Sequence, residues 1–137
     1  MEFVHGDILD RKLINKHCKD ADIVHHLAGI TEVPRTKTES NEEKDEKIKL
    51  VAKEGTQNIL DVITKKCKII FPSTHVVYEG IESIKNNISE NESLKPLLSY
   101  SSSKAINEKQ LKDSGKNYVI LRLGSVYGYS TDTARID

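Results

Sequence analysis

A chain of 137 residues is long enough for one domain with a real core and too short to expect two. Lys plus Arg equals Asp plus Glu at 21 each, so there is no net field to recruit nucleic acid or an anionic membrane, and a small ligand or another protein fits better. No apolar run approaches the roughly 20 residues of a spanning helix, and the opening "MEFVHGDILD" has neither the basic end nor the apolar run of a signal peptide. These features predict a soluble, cytoplasmic protein.

Short strand-like runs alternate with longer helix-like ones. "MEFVHGD" reads as a strand closed by Gly6 and Asp7, and "DILDRKLINKHC" carries a weak helical stripe of Ile8, Leu9, Leu13 and Ile14. "ADIVHHLAG" then reads as a buried strand running into a glycine loop. Residues 35–47 are almost wholly polar and predict a loop leading into the exposed start of a helix. From Ile48 to Ile63 the apolar residues recur at helical period around Gly55, a glycine that predicts close packing against the helix.

"CKIIFPST" is a β-branched and aromatic strand ending in a proline and two hydroxyls. Residues 79–98, with Gly80, Asn86, Asn87 and Pro96, read as a surface loop. "SYSSSKAINEKQLKDSG" follows as a helix with Gly115 near its end, and "NYVILRLGSVYG" as a strand opening onto Gly124 and Gly128. The alternation predicts an α/β fold: a parallel sheet of about four strands with flanking helices and right-handed crossovers. Ligands bind beyond the carboxyl ends of such strands, where "HGD", "HLAG", "PST" and "LGSVYG" cluster small and polar residues.

Cys18 and Cys67 stand far apart without a Cys-x-x-Cys spacing, so they suggest neither a zinc site nor a disulfide framework. The neighbours His25 and His26 point to opposite faces if they end a strand, one ring inward and one outward, so they do not close on one metal ion by themselves. Tyr100 and Lys104, four residues apart on a helix, share a face and form the outline of a proton-transfer unit.

"HGDILD", "VHHLAG", "EGTQNILD", "FPSTHVVYEG", "YSSSK" and "LRLGSVYG", in this order and at these separations, resemble the extended short-chain dehydrogenase/reductases, the NAD-dependent epimerase/dehydratase group that acts mainly on nucleotide sugars. The resemblance implies a Rossmann-type sheet, NAD or NADP as cofactor and a nucleotide-sugar-like small molecule as partner. It implies Tyr100 as the acid/base at a sugar hydroxyl or carbonyl. Lys104 would hold the nicotinamide ribose and lower the phenol pKa, ordinarily about 10. Thr74 would hydrogen-bond the reacting oxygen. Asp7 would bond the adenine amine with Ile8 stacking beside it; Leu27, Ala28 and Gly29 would run along the phosphates and the nicotinamide ribose, and Gly124, Ser125 and Val126 would lie near the carboxamide and the substrate entrance.

Departures narrow the chemistry. Ala52 stands where the family often has asparagine, Ser125 where asparagine is common, and Pro72 where a small polar residue is usual. His75 and Val76 follow Thr74 where sugar 4,6-dehydratases carry Asp and Glu, so epimerase or reductase chemistry is expected over dehydration. The seven glycines nowhere form Gly-x-x-Gly-x-x-Gly, the loop that binds pyrophosphate in the family. The chain therefore reads as a single truncated domain, 1–137, beginning at the family's third strand and ending after its sixth. It is expected to be inactive alone, with NAD binding no tighter than about 1 mM. Residues 22–27 would form an exposed sheet edge, to be covered by residues 2–5, by a second copy or by a complementing chain. The alternative is a non-catalytic family remnant serving as an oligomeric interaction module.

Overall fold

In a computed structural model, residues 2–31, 41–82, 87–125 and 128 are described. Residues 35–40 of the polar run, Asn86 and Val126 lie outside them. The elements are α1 (Arg11–Cys18), β1 (Ile23–His25), α2 (Glu42–Val62), β2 (Lys68–Thr74), a 3-10 turn (His75–Tyr78), α3 (Ser99–Asp113) and β3 (Asn117–Leu123). The three strands pair in parallel in the order β1-β2-β3.

Local chemistry sets the helix ends. Asp10 caps α1 by accepting from the amides of Lys12 and Leu13, and Asn41 caps α2 by accepting from Glu43. Glu42, Glu43 and Asp45 lie in the first turn of α2, where carboxylates complement the helix dipole. Gly115 follows α3 with φ of 65°, the left-handed conformation that glycine adopts without strain.

Along β2 burial alternates strictly: Ile69, Phe71 and Ser73 are buried between half-exposed neighbours. Ile69 and Phe71 join Ile59, Leu60, Ile63, Cys67 and Leu111 in one core cluster against α2 and α3, with Ile14 and Cys18 of α1 packed on it. Gly55 has the packing role its position predicts, since a Cβ there would sit 2.8 Å from Ile8 Cγ2. All three helices thus lie on one face of the sheet.

The other face carries Ile23, His25, Ile70, Pro72, Val119, Leu121 and Leu123 by strand alternation. Ile23 is 54% exposed, Leu121 42% and Leu123 45%. Parallel sheets are ordinarily covered on both faces, whereas among the described residues no helix covers this apolar face.

Two expectations change. The sheet has three strands rather than about four, because residues 2–7 form no strand. They also do not pair beside residues 22–27; Phe3 and Val4 are exposed and the β1 edge is bare among the described residues. With only three residues in β1, and no turn to hold residues 2–5 antiparallel to it, the edge offers few ladder bonds against the entropy of ordering that segment. Elsewhere the helix from Ile48 starts earlier, at Glu42, and the last strand extends from Asn117 to Leu123.

Pro72 sits in the middle strand and breaks no bond to β3. The carbonyl of Ile70 faces β1, where it accepts from His26 N at 3.0 Å, so Pro72 two residues on faces the same side, beyond the end of β1.

Candidate active site

The carboxyl end of β2 meets the first two turns of α3. Tyr100 and Lys104 project toward it, with Lys104 Nζ 5.8 Å from the Tyr100 ring centroid and 4.7 Å from that of Phe71 beneath. Lys104 Nζ donates to Pro72 O at 2.9 Å, which leaves two of its three donors for a ligand. Thr74, two residues beyond Pro72, accepts from Val76 N at 3.4 Å and begins the 3-10 turn that packs against α3.

Burial pushes the Lys104 ammonium below its ordinary pKa and the Tyr100 phenol above its own. The expected lowering of the phenol is therefore absent from the chain by itself. The phenol hydroxyl bonds to no described residue, and the nearby ammonium is already engaged with a carbonyl. Desolvation of the phenolate outweighs the attraction.

Behind this pair lies a polar scaffold that sequence reading passed over. Glu108, fully buried, accepts from Ser73 Oγ at 2.6 Å and from Arg122 Nε and Nη2 at 3.0 and 2.6 Å. Arg122 in turn donates to Tyr78 Oη and to Glu90 O. These bonds hold the Glu108 carboxyl below its ordinary pKa despite desolvation, which acts the other way and is the largest single influence. The spacing of Tyr100, Lys104 and Glu108 at four-residue steps was the available signal.

A second buried group joins β1 to both long helices. His26 Nε2 is hydrogen-bonded with Thr56 Oγ1 at 2.8 Å, Asn107 Nδ2 donates to the same hydroxyl oxygen at 2.7 Å, and Asn107 donates to Ala52 O at 2.7 Å. His26 is buried and His25 exposed, as strand alternation predicts. Burial, aided by Lys104, lowers the His26 pKa to about 4. The Asn107 bond to the Ala52 carbonyl joins α3 to α2 at this point.

The residues expected at the cofactor are spread differently. Asp7 Oδ1 accepts from Leu9 N at 2.9 Å, and Ile8 points into the helix layer against Gly55 rather than standing free. Leu27, Ala28 and Gly29 are exposed beyond β1, Leu27 at 71%. Asp7, Ile8, Leu27 and Ala28 line one cleft of about 290 Å³; Asp7 and Gly29 also line a second of about 430 Å³. Gly124 and Ser125 are exposed past β3, and Gly124 borders a cleft of about 490 Å³ with His75, Tyr78, Glu79 and Arg122.

Among the described residues no group of three or more His, Cys, Asp or Glu side chains could hold a metal, and no helix is long and apolar enough to cross a membrane.

The fold and the placement of these residues define a Rossmann-type α/β core of the short-chain dehydrogenase kind. Residues 1–136 match the family model "NAD dependent epimerase/dehydratase family". The chain belongs to that family, whose cofactor is NAD(P). It is 36% identical over 138 residues to a Methanocaldococcus jannaschii protein assigned provisionally as a UDP-glucose 4-epimerase, covering 96% of this chain and 43% of that one. Among solved structures, UDP-glucose 4-epimerase from Brucella ovis in complex with NAD superposes with a TM-score of 0.71 at 30% identity, over 88% of this chain and 38% of that one. UDP-glucuronic acid 4-epimerase from Bacillus cereus in complex with NAD gives 0.73 at 29% identity, over 93% and 39%. The chain thus spans about 43% of its archaeal relative and less of the two solved structures.

Proposed function

We propose that residues 1–137 are one Rossmann-type unit carrying the acid/base half of a nucleotide-sugar epimerase or reductase, and that the chain alone does not turn over. The observation that carries this reading is the half-buried Tyr100–Lys104 pair at the carboxyl end of β2, the strand that Thr74 closes, with Lys104 anchored on Pro72 O. In this reading Tyr100 Oη exchanges a proton with a sugar oxygen, Thr74 Oγ1 holds that oxygen by a hydrogen bond, and the free donors of Lys104 hold the cofactor ribose. A bound NAD would supply the hydride acceptor and a positive ring beside which the Tyr100 phenolate would be favoured.

The fit to the cofactor is uneven. Asp7 can receive the adenine amine, Leu27, Ala28 and Gly29 can run along the phosphates and the nicotinamide ribose, and Gly124 and Ser125 can lie near the carboxamide and the substrate entrance. Beyond that backbone run, the described helix starts offer the pyrophosphate little. Asp10 accepts from the Lys12 and Leu13 amides at the start of α1, Asn41 accepts from the Glu43 amide beside three carboxylates at the start of α2, and Glu79 accepts from the Leu97 and Leu98 amides just before α3. A carboxylate thus stands at each described helix start, which disfavours a second anion there.

A second reading rests on the uncovered sheet face and the bare β1 edge, which favour a second copy or a complementing chain as partner. The same contact would complete the site, so the two readings agree on oligomerisation and part on turnover.

The test is a chimera in which residues 1–137 replace the matching stretch of the archaeal relative, assayed with NAD and UDP-glucose by chromatography of the nucleotide sugars. Interconversion that Tyr100→Phe reduces at least about 100-fold is expected. A folded chimera that binds NAD and shows no interconversion of UDP-sugars would contradict the epimerase reading.

A further inference from the structure

We propose that Glu79 is a positioning residue whose carboxylate caps α3 from outside the helix and fixes Tyr100 relative to Thr74. The proposal rests on the reading above, in which those two residues act on one oxygen.

Helix α3 begins poorly on its own. Its N-cap is Leu98, whose hydrocarbon side chain accepts no hydrogen bond. Glu79 Oε1 instead holds the chain as it enters the helix: it receives Leu97 N at 2.6 Å, Leu98 N, the N-cap's own amide, at 2.8 Å, and the hydroxyl of Ser101. Ser101, buried in the first turn, also accepts from Leu98 N at 3.2 Å. An anionic acceptor at this end of a helix is also favoured by the dipole. Tyr100 lies between the residues so held.

The other end of the bridge is Thr74. Its hydroxyl opens the 3-10 turn from which Glu79 emerges. That turn is fastened to the segment before α3 by Lys95 N to Val77 O at 2.9 Å and Gly80 N to Lys95 O at 2.8 Å. A Cβ at position 80 would stand 2.6 Å from Lys95 O, so only glycine permits this approach. Thr74 and Tyr100, 26 residues apart in number, are thereby linked through a turn, two backbone bonds and one carboxylate. This linkage adds to the bonds that tie α3 to β2 directly, Lys104 to Pro72 O and Ser73 to Glu108. The bonds from Ser101, Leu97 and Leu98 hold the Glu79 carboxyl below its ordinary pKa although desolvation, the largest influence, opposes them.

The experiment compares the chain with Glu79→Ala and Glu79→Gln by amide hydrogen exchange and by titration of the Tyr100 phenol, identified as the component missing in Tyr100→Phe. In Glu79→Ala, exchange at Leu97 and Leu98 should rise at least about tenfold while Ile69 and Phe71 in β2 stay protected. The phenol titration should move down toward its ordinary 10.0 as the helix start opens to water. Glu79→Gln keeps an oxygen acceptor and should hold both readouts near those of the natural chain.

Adding Leu98→Ser to Glu79→Ala gives α3 a cap of its own, so it should restore stability and leave the phenol titration displaced. This double variant also serves if Glu79→Ala alone does not fold. Unchanged exchange at Leu97 and Leu98, or a phenol titration that does not move when those amides open, would overturn the proposal. None of these readouts needs cofactor or turnover, so the bridge and the catalytic reading can fail separately.

Discussion

Lys104 sits in a frame of β2, β3 and α3 tied together by the buried Glu108–Arg122 pair, whereas Asp7, Leu27, Ala28 and Gly29 lie exposed on residues 2–31. The first group is fixed by the core, with Phe71 under the ammonium and Pro72 O against it. The second sits at the ends of segments that are themselves anchored, by Ile8, Ile14, Cys18 and Val24 packed on the core, by β1 paired with β2 and by His26 bonded to Thr56, but its own groups stand outside those anchors. Proton-transfer groups can be organised by one side of a sheet. A dinucleotide must be gripped along its length, and that requires elements on both sides of the switch between strands.

The contrast is broken most forcefully from its well-built end. Glu108→Leu leaves Arg122 charged among buried neighbours and should cost about 3–5 kcal/mol in urea denaturation, while the further change Arg122→Met should recover much of it. A small loss in Glu108→Leu would mean that the frame around Lys104 is no better ordered than residues 2–31.

His26 sharpens the comparison through pH, because it links β1 to the frame. Its folded-state pKa is lowered from 6.5 to about 4, so between those values the unfolded chain binds the proton first. Stability should be level above pH 6.5 and fall as pH drops toward 4, by about 3 kcal/mol in all. His26→Asn should flatten that slope. Glu79 and Glu108, whose pKa values are depressed, contribute stability that is present above their ordinary value of 4.5 and lost as pH falls below it through their folded-state values.

The loosely held end yields smaller effects. Gly55→Ala should displace Ile8 and cost about 1–2 kcal/mol by thermal denaturation, a net of overpacking against better helix propensity, with faster amide exchange at Leu9. Arg11→Ala removes a surface ion pair and should cost no more than about 1 kcal/mol in the same assay.

Much of this was legible in the sequence. The periodicity from Ile48, the β-branched run before Pro72, Gly115 after α3 and the Tyr100–Lys104 spacing each specify an element or a juxtaposition through local rules. Residues 2–7 read as a strand because Phe3 and Val4 precede a glycine, yet a strand exists only where a neighbour pairs with it, and that information is not local. Glu108, Arg122 and Glu79 were passed over for a similar reason. A charged residue on a helix or in a polar loop reads as solvated until the partner that buries it is known. The direction of the Tyr100 shift also depended on burial, which spacing does not report.

The most direct measurement is calorimetric titration of the purified chain with NAD, beside Lys104→Ala. Heats that show no saturable binding tighter than about 1 mM are predicted, because a carboxylate already stands at each described helix start where the pyrophosphate would bind. Micromolar binding that Lys104→Ala weakens would contradict the account and show that this chain assembles the whole cofactor site.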